Sequence, residues 1–255
     1  MLALNLSKLD YEDNNAEIIE EIFFEKFSIE DEKVIVSNFY DLQKIEKSLS
    51  NFSSYIEKDV FSYCFICIES WHKLTTEVKE LNIANRFHLS KNFNFNGKEL
   101  YIEFDLELDT IESNVGGLEE FKKKEELLSR LSNEIIGKKR WLDFTRLEKK
   151  YWLDFAFSQM SERGNPLALN ITVDGKYLAC EEDVYCYFGE AVYGVLGYLG
   201  YNFNAFSDEV SELPLKIKWM NFEYSTDNFE SKEGFYYLDD FVNVLKKYSS
   251  LEISY

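Results

Sequence analysis

Histidine is scarce. The chain holds two, His72 and His88, both in its N-terminal half, against 47 aspartates and glutamates. Few general bases are therefore on offer, and no G-x-S-x-G, H-E-x-x-H or phosphate-cradling glycine loop accompanies them. Two prolines and eleven glycines leave little room for a long flexible linker. No apolar run approaches membrane-spanning length. The start, Met1-Leu2-Ala3-Leu4-Asn5-Leu6-Ser7-Lys8, lacks the basic n-region and long apolar core of a signal peptide. A cytoplasmic protein is the expectation, with its four cysteines reduced. Basic residues are outnumbered, and the net charge of −19 argues against direct binding of nucleic acid, which needs clustered Lys and Arg.

What is abundant is apolar and acidic. A hydrophobic share of 45% and an aromatic share of 17% can bury the core of one large domain or two smaller ones. The acidity suits a cationic protein partner through complementary fields. It also confers solubility by itself. From residue 165 onward there are 15 acidic and 6 basic residues, a net of −9, so charge is denser at this end.

The residues carry little catalytic chemistry. Cys64 and Cys67 make a C-x-x-C with His72 five residues beyond. No second pair completes a metal site, and residues three apart on a strand point to opposite faces. Buried thiols are the expectation, and His88 is read as structural or exposed. No cofactor, metal ligand or catalytic residue is assigned, and the chain is not read as an enzyme.

The pattern predicts an α/β protein, α+β overall, in three parts: residues 1–115, a helical connector 116–164, and a compact unit 165–255. Residues 1–30 are expected to be helical and acidic. A strand is expected at Lys33–Val36, a helix at Asp41–Leu49 with Leu42, Ile45 and Leu49 inward, and a buried strand at Val60–Ile68. Asn96-Gly97 predicts a tight hairpin between Phe87–Phe95 and Ile102–Leu108. A helix is expected over Leu118–Ile136, stopped by Gly137, and another over Arg140–Ser161. Trp141-Leu142-Asp143-Phe144 recurs as Trp152-Leu153-Asp154-Phe155, an offset near three helical turns that would put both Trp-Phe pairs on one face. In the last unit, strands at Leu169–Val173, Leu215–Trp219 and Leu251–Tyr255 alternate with helices at Glu181–Leu196 and Phe235–Tyr248. That alternation implies a small parallel sheet with helices against it.

One stretch stands out: Gly200-Tyr201-Asn202-Phe203-Asn204-Ala205-Phe206-Ser207-Asp208. Asn202 can cap a helix. Phe203, Phe206 and Val210 would form its buried stripe. Asn204 and Asp208, four apart, would share an outward face that Glu209 and Glu212 extend.

This stretch resembles the G-x-N-x-D-A-L-x-D inhibitory helix of the barstar family, intracellular inhibitors of the ribonuclease barnase. Pro214-Leu215-Lys216-Ile217-Lys218-Trp219-Met220-Asn221-Phe222-Glu223-Tyr224-Ser225 is similar to that family's P-L-x-L-x-W-x-x-F-E-x-S strand. The resemblance covers about residues 167–255, and the expected order of strands and helices fits the same fold. It implies a bacterial immunity protein or antitoxin that neutralises a cognate toxin, a nuclease, by placing an acidic helix in its active site. The implied toxin-binding residues are Tyr198, Leu199, Gly200, Asn202, Asn204, Ser207, Asp208, Glu209, Ser211 and Glu212. Asp208 falls on the family's central aspartate. The departures are Asn204 for an aspartate, Ser207 for a large aromatic, Leu199 for the second of two tyrosines, and Lys247 near the site of a contacting glutamate. They point to a partner other than barnase. Two alternatives stay open: an enzyme centred in residues 1–115 with a regulatory C-terminal module, and an adaptor that keeps the fold without inhibition.

Overall fold

A computed structural model describes residues 2–10, 15–30, 33–58, 62–77, 79–89, 93–103, 117–162, 164–230 and 238–255. The protein is mixed α/β, and its chain divides into two compact units. Unit 1 comprises Met1–Lys73 and Ala84–Asn133; unit 2 comprises Leu74–Ile83 and Glu134–Tyr255.

Unit 1 is built on strands β1 (Leu2–Asp10), β2 (Asn15–Glu30), β3 (Lys33–Phe39), β4 (Ser62–Thr76), β5 (Glu80–Leu89), β6 (Phe93–Phe95) and β7 (Leu100–Glu103), with helices α1 (Leu42–Lys58) and α2 (Gly117–Leu131). The strands follow the order β5-β4-β1-β2-β3-β7-β6. Residues 2–10 and 15–30 are therefore strand, not the helix the sequence suggested. β1 and β2 run antiparallel, with Leu4 opposite Ile22 and Leu2 opposite Phe24. The deciding signal is the period of two in Leu2-Ala3-Leu4-Asn5-Leu6, where every residue from Ala3 to Leu6 is buried. The short apolar cluster near Ile22 fits either period on its own.

On α1, Ile45, Ser48, Leu49 and Phe52 are buried at helical spacing, and the Asp41 side chain accepts from the Lys44 backbone N–H at 2.9 Å. Leu42, expected inward, is exposed. The core joins Leu4, Leu6, Ile22, Phe24, Val34 and Val36 of the sheet to Ile45, Leu49 and Phe52 of α1 and to Phe121 of α2. The Asn96-Gly97 hairpin is present between β6 and β7, with Gly97 at φ 89°. Its expected continuation through Phe104–Leu108 lies outside the described residues.

Helix α2 ends at Leu131, short of the expected Ile136. The Ser132 hydroxyl and the Asn133 amide donate back to the carbonyls of Leu128 and Ser129 at 2.8 and 2.7 Å and close the last turn. The β-branched pair Ile135–Ile136 instead forms β8, parallel to Thr75 and Thr76 of β4 within unit 2.

The remainder of unit 2 begins with a second correction. Arg140–Ser161 is not one helix. A 3-10 turn covers Arg140–Asp143, Phe144 is extended, and α3 (Arg146–Ser158) starts anew at Thr145. Thr145 and Glu148 form a reciprocal capping box, the T-x-x-E signature of a helix start. The two Trp-Leu-Asp-Phe copies thus sit on different elements. Their aromatic residues are all buried, and Phe144 meets Trp152 edge-on at 5.5 Å.

Beyond α3 the order is β9 (Asn170–Asp174), α4 (Glu181–Tyr193), α5 (Phe203–Ser211), β10 (Lys216–Met220), α6 (Phe222–Glu230), α7 (Leu238–Tyr248) and β11 (Ser250–Ile253). The start expected for the last helix, Phe235–Tyr237, lies outside the described residues. The three strands are parallel, in the order β11-β10-β9. Ile171, Val173, Ile217 and Trp219 bury one face, where Phe188 of α4 meets Trp219 at 6.2 Å. The opposite face, with Asn170, Thr172, Lys216, Lys218 and Glu252, is exposed. This explains why β10 reads as an alternating Lys-Ile-Lys-Trp rather than the continuous apolar run of a parallel strand covered on both sides.

Helix α6 was not foreseen. The stretch likened to a strand turns at Asn221 (φ 53°) and becomes helical at Phe222. Trp219 Nε1 donates to Ser225 Oγ at 3.2 Å, and that hydroxyl donates to the Gly175 carbonyl at 3.2 Å. A Cβ at position 175 would run into the Asn221 carbonyl oxygen. The spacing of Trp219 and Ser225 is thus what fastens the strand end, the helix start and the turn after β9 to one another.

Candidate functional site

The site is assembled on α5. Gly200 has φ 97°, a conformation L residues rarely adopt, and a Cβ there would collide with the backbone of Phe206. Glycine at this position lets the chain turn tightly under its own helix. Asn202 is extended, and its side chain accepts from the Ala205 N–H at 2.9 Å, as expected of a cap. Phe206 and Val210 are fully buried; Phe203 is half-buried against Phe241 of α7 at 5.4 Å. Phe206 also packs on Phe188, Tyr185 and Phe241. A helix this short is marginal alone and is held by its apolar back.

The ten residues proposed from sequence divide by exposure. Asn202, Asn204, Asp208, Ser211 and Glu212 are exposed, and Ser207 and Glu209 are half-buried. Tyr198, Leu199 and Gly200 are buried, with Tyr198 at 4% and Leu199 at 0%, so these three support the surface from beneath. Asn204 and Asp208 share the outward face one turn apart. Among the described residues the Asp208 side chain has no hydrogen bond or ion pair, and Ser211 Oγ donates to the Asp208 backbone carbonyl at 2.8 Å. Lys247 lies exposed in the last turn of α7, its ammonium 4.5 Å from the Tyr248 ring centre.

Sequence reading missed Phe157. This α3 residue is 50% exposed and packs on Tyr198 at 5.2 Å and on the exposed Tyr201 at 5.6 Å. An accessible aromatic pair therefore adjoins the start of α5. Nothing local marks Phe157 for this: it stands in a helix full of aromatics and became notable only once α3 was placed beside α4.

The acidic first turn of α4 does more than oppose the helix dipole. Arg146 Nε reaches both Glu182 carboxylate oxygens at 2.9 Å, and Lys149 Nζ reaches Asp183 at 2.5 Å. Asp183, 2% exposed, also accepts from the Ala179 and Cys180 N–H groups at 2.9 and 3.1 Å. Burial pulls the Lys149 ammonium down, yet Asp183 outweighs it and holds the ammonium above its ordinary value. These bonds tie α3 to the helix that precedes the site.

The thiols are placed as packing. Cys67, Cys180 and Cys186 are buried thiols outside any disulfide; burial, reinforced by the Asp183 charge, pushes the Cys180 thiol up to about 12. The Cys64 side chain and the His88 side chain lie outside the described residues. His72 Nε2 lies 3.0 Å from Glu125. A small cavity of about 140 Å³ is lined by Trp141, Tyr187 and Glu190, but Glu190 already accepts from the Lys139 N–H at 2.8 and 2.9 Å. The Lys139 ammonium covers the adjoining Tyr177 ring at 4.0 Å. No helix among the described residues is long and apolar enough to cross a membrane.

No family model, curated protein or solved structure matches the chain.

Proposed function

We propose that this chain is an immunity protein that binds a basic toxin, a nuclease, through the exposed face of α5 and neutralises it. The observation that carries this reading is α5 itself: a short capped helix, fixed from behind by Phe206 and Val210, that holds Asp208, Asn204 and Glu212 out to solvent. A carboxylate so presented can pair with the arginines and lysines a nuclease uses to hold phosphate, and charge-assisted bonds of this kind are strong. The order β9-α4-α5-β10-α6-α7-β11 supports the barstar-like resemblance, as does the Trp219–Ser225 bond within its second motif. The buried Tyr198 and Leu199 narrow the contact surface to Asn202–Glu212.

The test is co-expression with the toxin encoded beside this gene. Wild type is expected to protect the cells, and Asp208→Lys to lose protection while keeping its fold. Equal protection by Asp208→Lys would remove α5 from the contact surface.

A further inference from the structure

We propose that Ser132, His72 and Glu125, all in unit 1, form a nucleophile–base–carboxylate relay that takes acyl groups from activated esters. This goes beyond the toxin-binding reading and does not depend on it.

Glu125 faces the sheet from α2, with its side chain 18% exposed. His72 Nε2 lies 3.0 Å from one oxygen, while Asn85 Nδ2, at 2.8 Å, and the Ser70 hydroxyl donate to the other. Burial pushes this carboxyl up, but the three partners outweigh burial and hold it below its ordinary value. An ionised carboxylate can only accept, so the proton between the two belongs to Nε2. In the neutral ring the lone pair then sits on Nδ1, which lies 3.5 Å from Ser132 Oγ.

Ser132 is exposed at the end of α2, so an acyl donor can reach it. Its hydroxyl now donates to the Leu128 carbonyl at 2.8 Å, and rotation about the Cβ–Oγ bond turns that proton towards Nδ1 with Oγ left in place. Nucleophile–base distances of this order are common without substrate and shorten when it binds. The bond to Glu125 would by itself satisfy a structural histidine; a hydroxyl on the opposite ring nitrogen, open to solvent, is what a relay adds.

The steps balance without a further reactant. Ser132 Oγ bonds to the acyl carbon while its proton passes to Nδ1. The tetrahedral adduct then expels the leaving group, which takes that proton, and Ser132 is left acylated. Water, deprotonated at Nδ1, attacks the acyl carbon; Oγ departs with the proton and a carboxylic acid is released. The carbonyl end of α2 carries partial negative charge, which does not stabilise an oxyanion. The chemistry is therefore confined to esters with good leaving groups, such as aryl esters and thioesters, and excludes amides.

The experiment treats the full chain with p-nitrophenyl acetate, follows nitrophenolate release, and maps acetylated peptides by mass spectrometry. Acetyl is expected on Ser132. Ser132→Ala should lose that label and slow release by about a hundredfold, the usual scale of base-assisted attack. His72→Gln should do the same. Because Ser132 is exposed, Ser132→Ala is expected to keep the wild-type circular dichroism spectrum, so its result reads chemistry and not folding. Unchanged release in Ser132→Ala, acetyl on lysines alone, or a Ser132 label indifferent to His72→Gln would each overturn the relay.

Discussion

Asp208 and Glu125 are both carboxylates, and their surroundings give them opposite duties. Asp208 stands in water, so Asp208→Lys should change stability by no more than about 0.5 kcal/mol while abolishing toxin protection. Glu125 is enclosed by donors, and its carboxyl lies below the ordinary value. A depressed carboxyl stabilises the fold fully above the ordinary value of 4.5, and that contribution is lost as pH falls through the folded value. Glu125→Gln should thus lower stability at pH 7 by about 1.5–3 kcal/mol, the scale for bonds to a charged group. The gap should close as acid protonates the wild type. Glu190 carries the other sign: burial raises its carboxyl, so its charge opposes folding as pH rises. Glu190→Gln should gain stability relative to wild type with rising pH. Urea midpoints measured across the acid-to-neutral range would check both. At this scale the sequence was legible where the signal is local. Asn202 declares itself as a cap because the next turn needs an acceptor. Glu125 is one carboxylate among 47, and only the meeting of α2 with β4 and β5 distinguishes it.

Helices and strands were legible where their period was unambiguous. Lys-Ile-Lys-Trp alternates, and β10 is where it was expected. Residues 15–30 suggested a helix because Ile18, Ile19, Ile22 and Phe23 satisfy a helical spacing, while the partner that makes them strand, β1, had to be recognised at the same time. Thr145-Arg146-Leu147-Glu148 carried a start signal in plain view, masked by the appeal of an eleven-residue repeat. Helix α5 depends on its cap as well as on its packing. Asn202→Ala should lower stability by about 1 kcal/mol in urea denaturation. It should weaken toxin protection less than Asp208→Lys, because the charged face would remain.

For the whole molecule, the resemblance stops near residue 167 but the structure does not. Arg146 and Lys149 grip the first turn of α4, and Phe157 covers Tyr198. A piece starting at residue 165 would lose all three contacts and uncover the apolar side of α4. It should unfold at lower urea than a piece starting at residue 134, and bind more of a dye that reports exposed apolar surface. The net charge of −19 adds a kinetic expectation: capture of a basic toxin should slow as salt rises, since screening shortens the reach of the field. Unit 2 also includes Leu74–Ile83, the turn-end of β4 and β5, although the rest of both strands belongs to unit 1. In genetic terms, no single crossover in the coding sequence can trade one unit and leave the other whole. A recombination that traded the whole of unit 2 would have to carry two separated segments together.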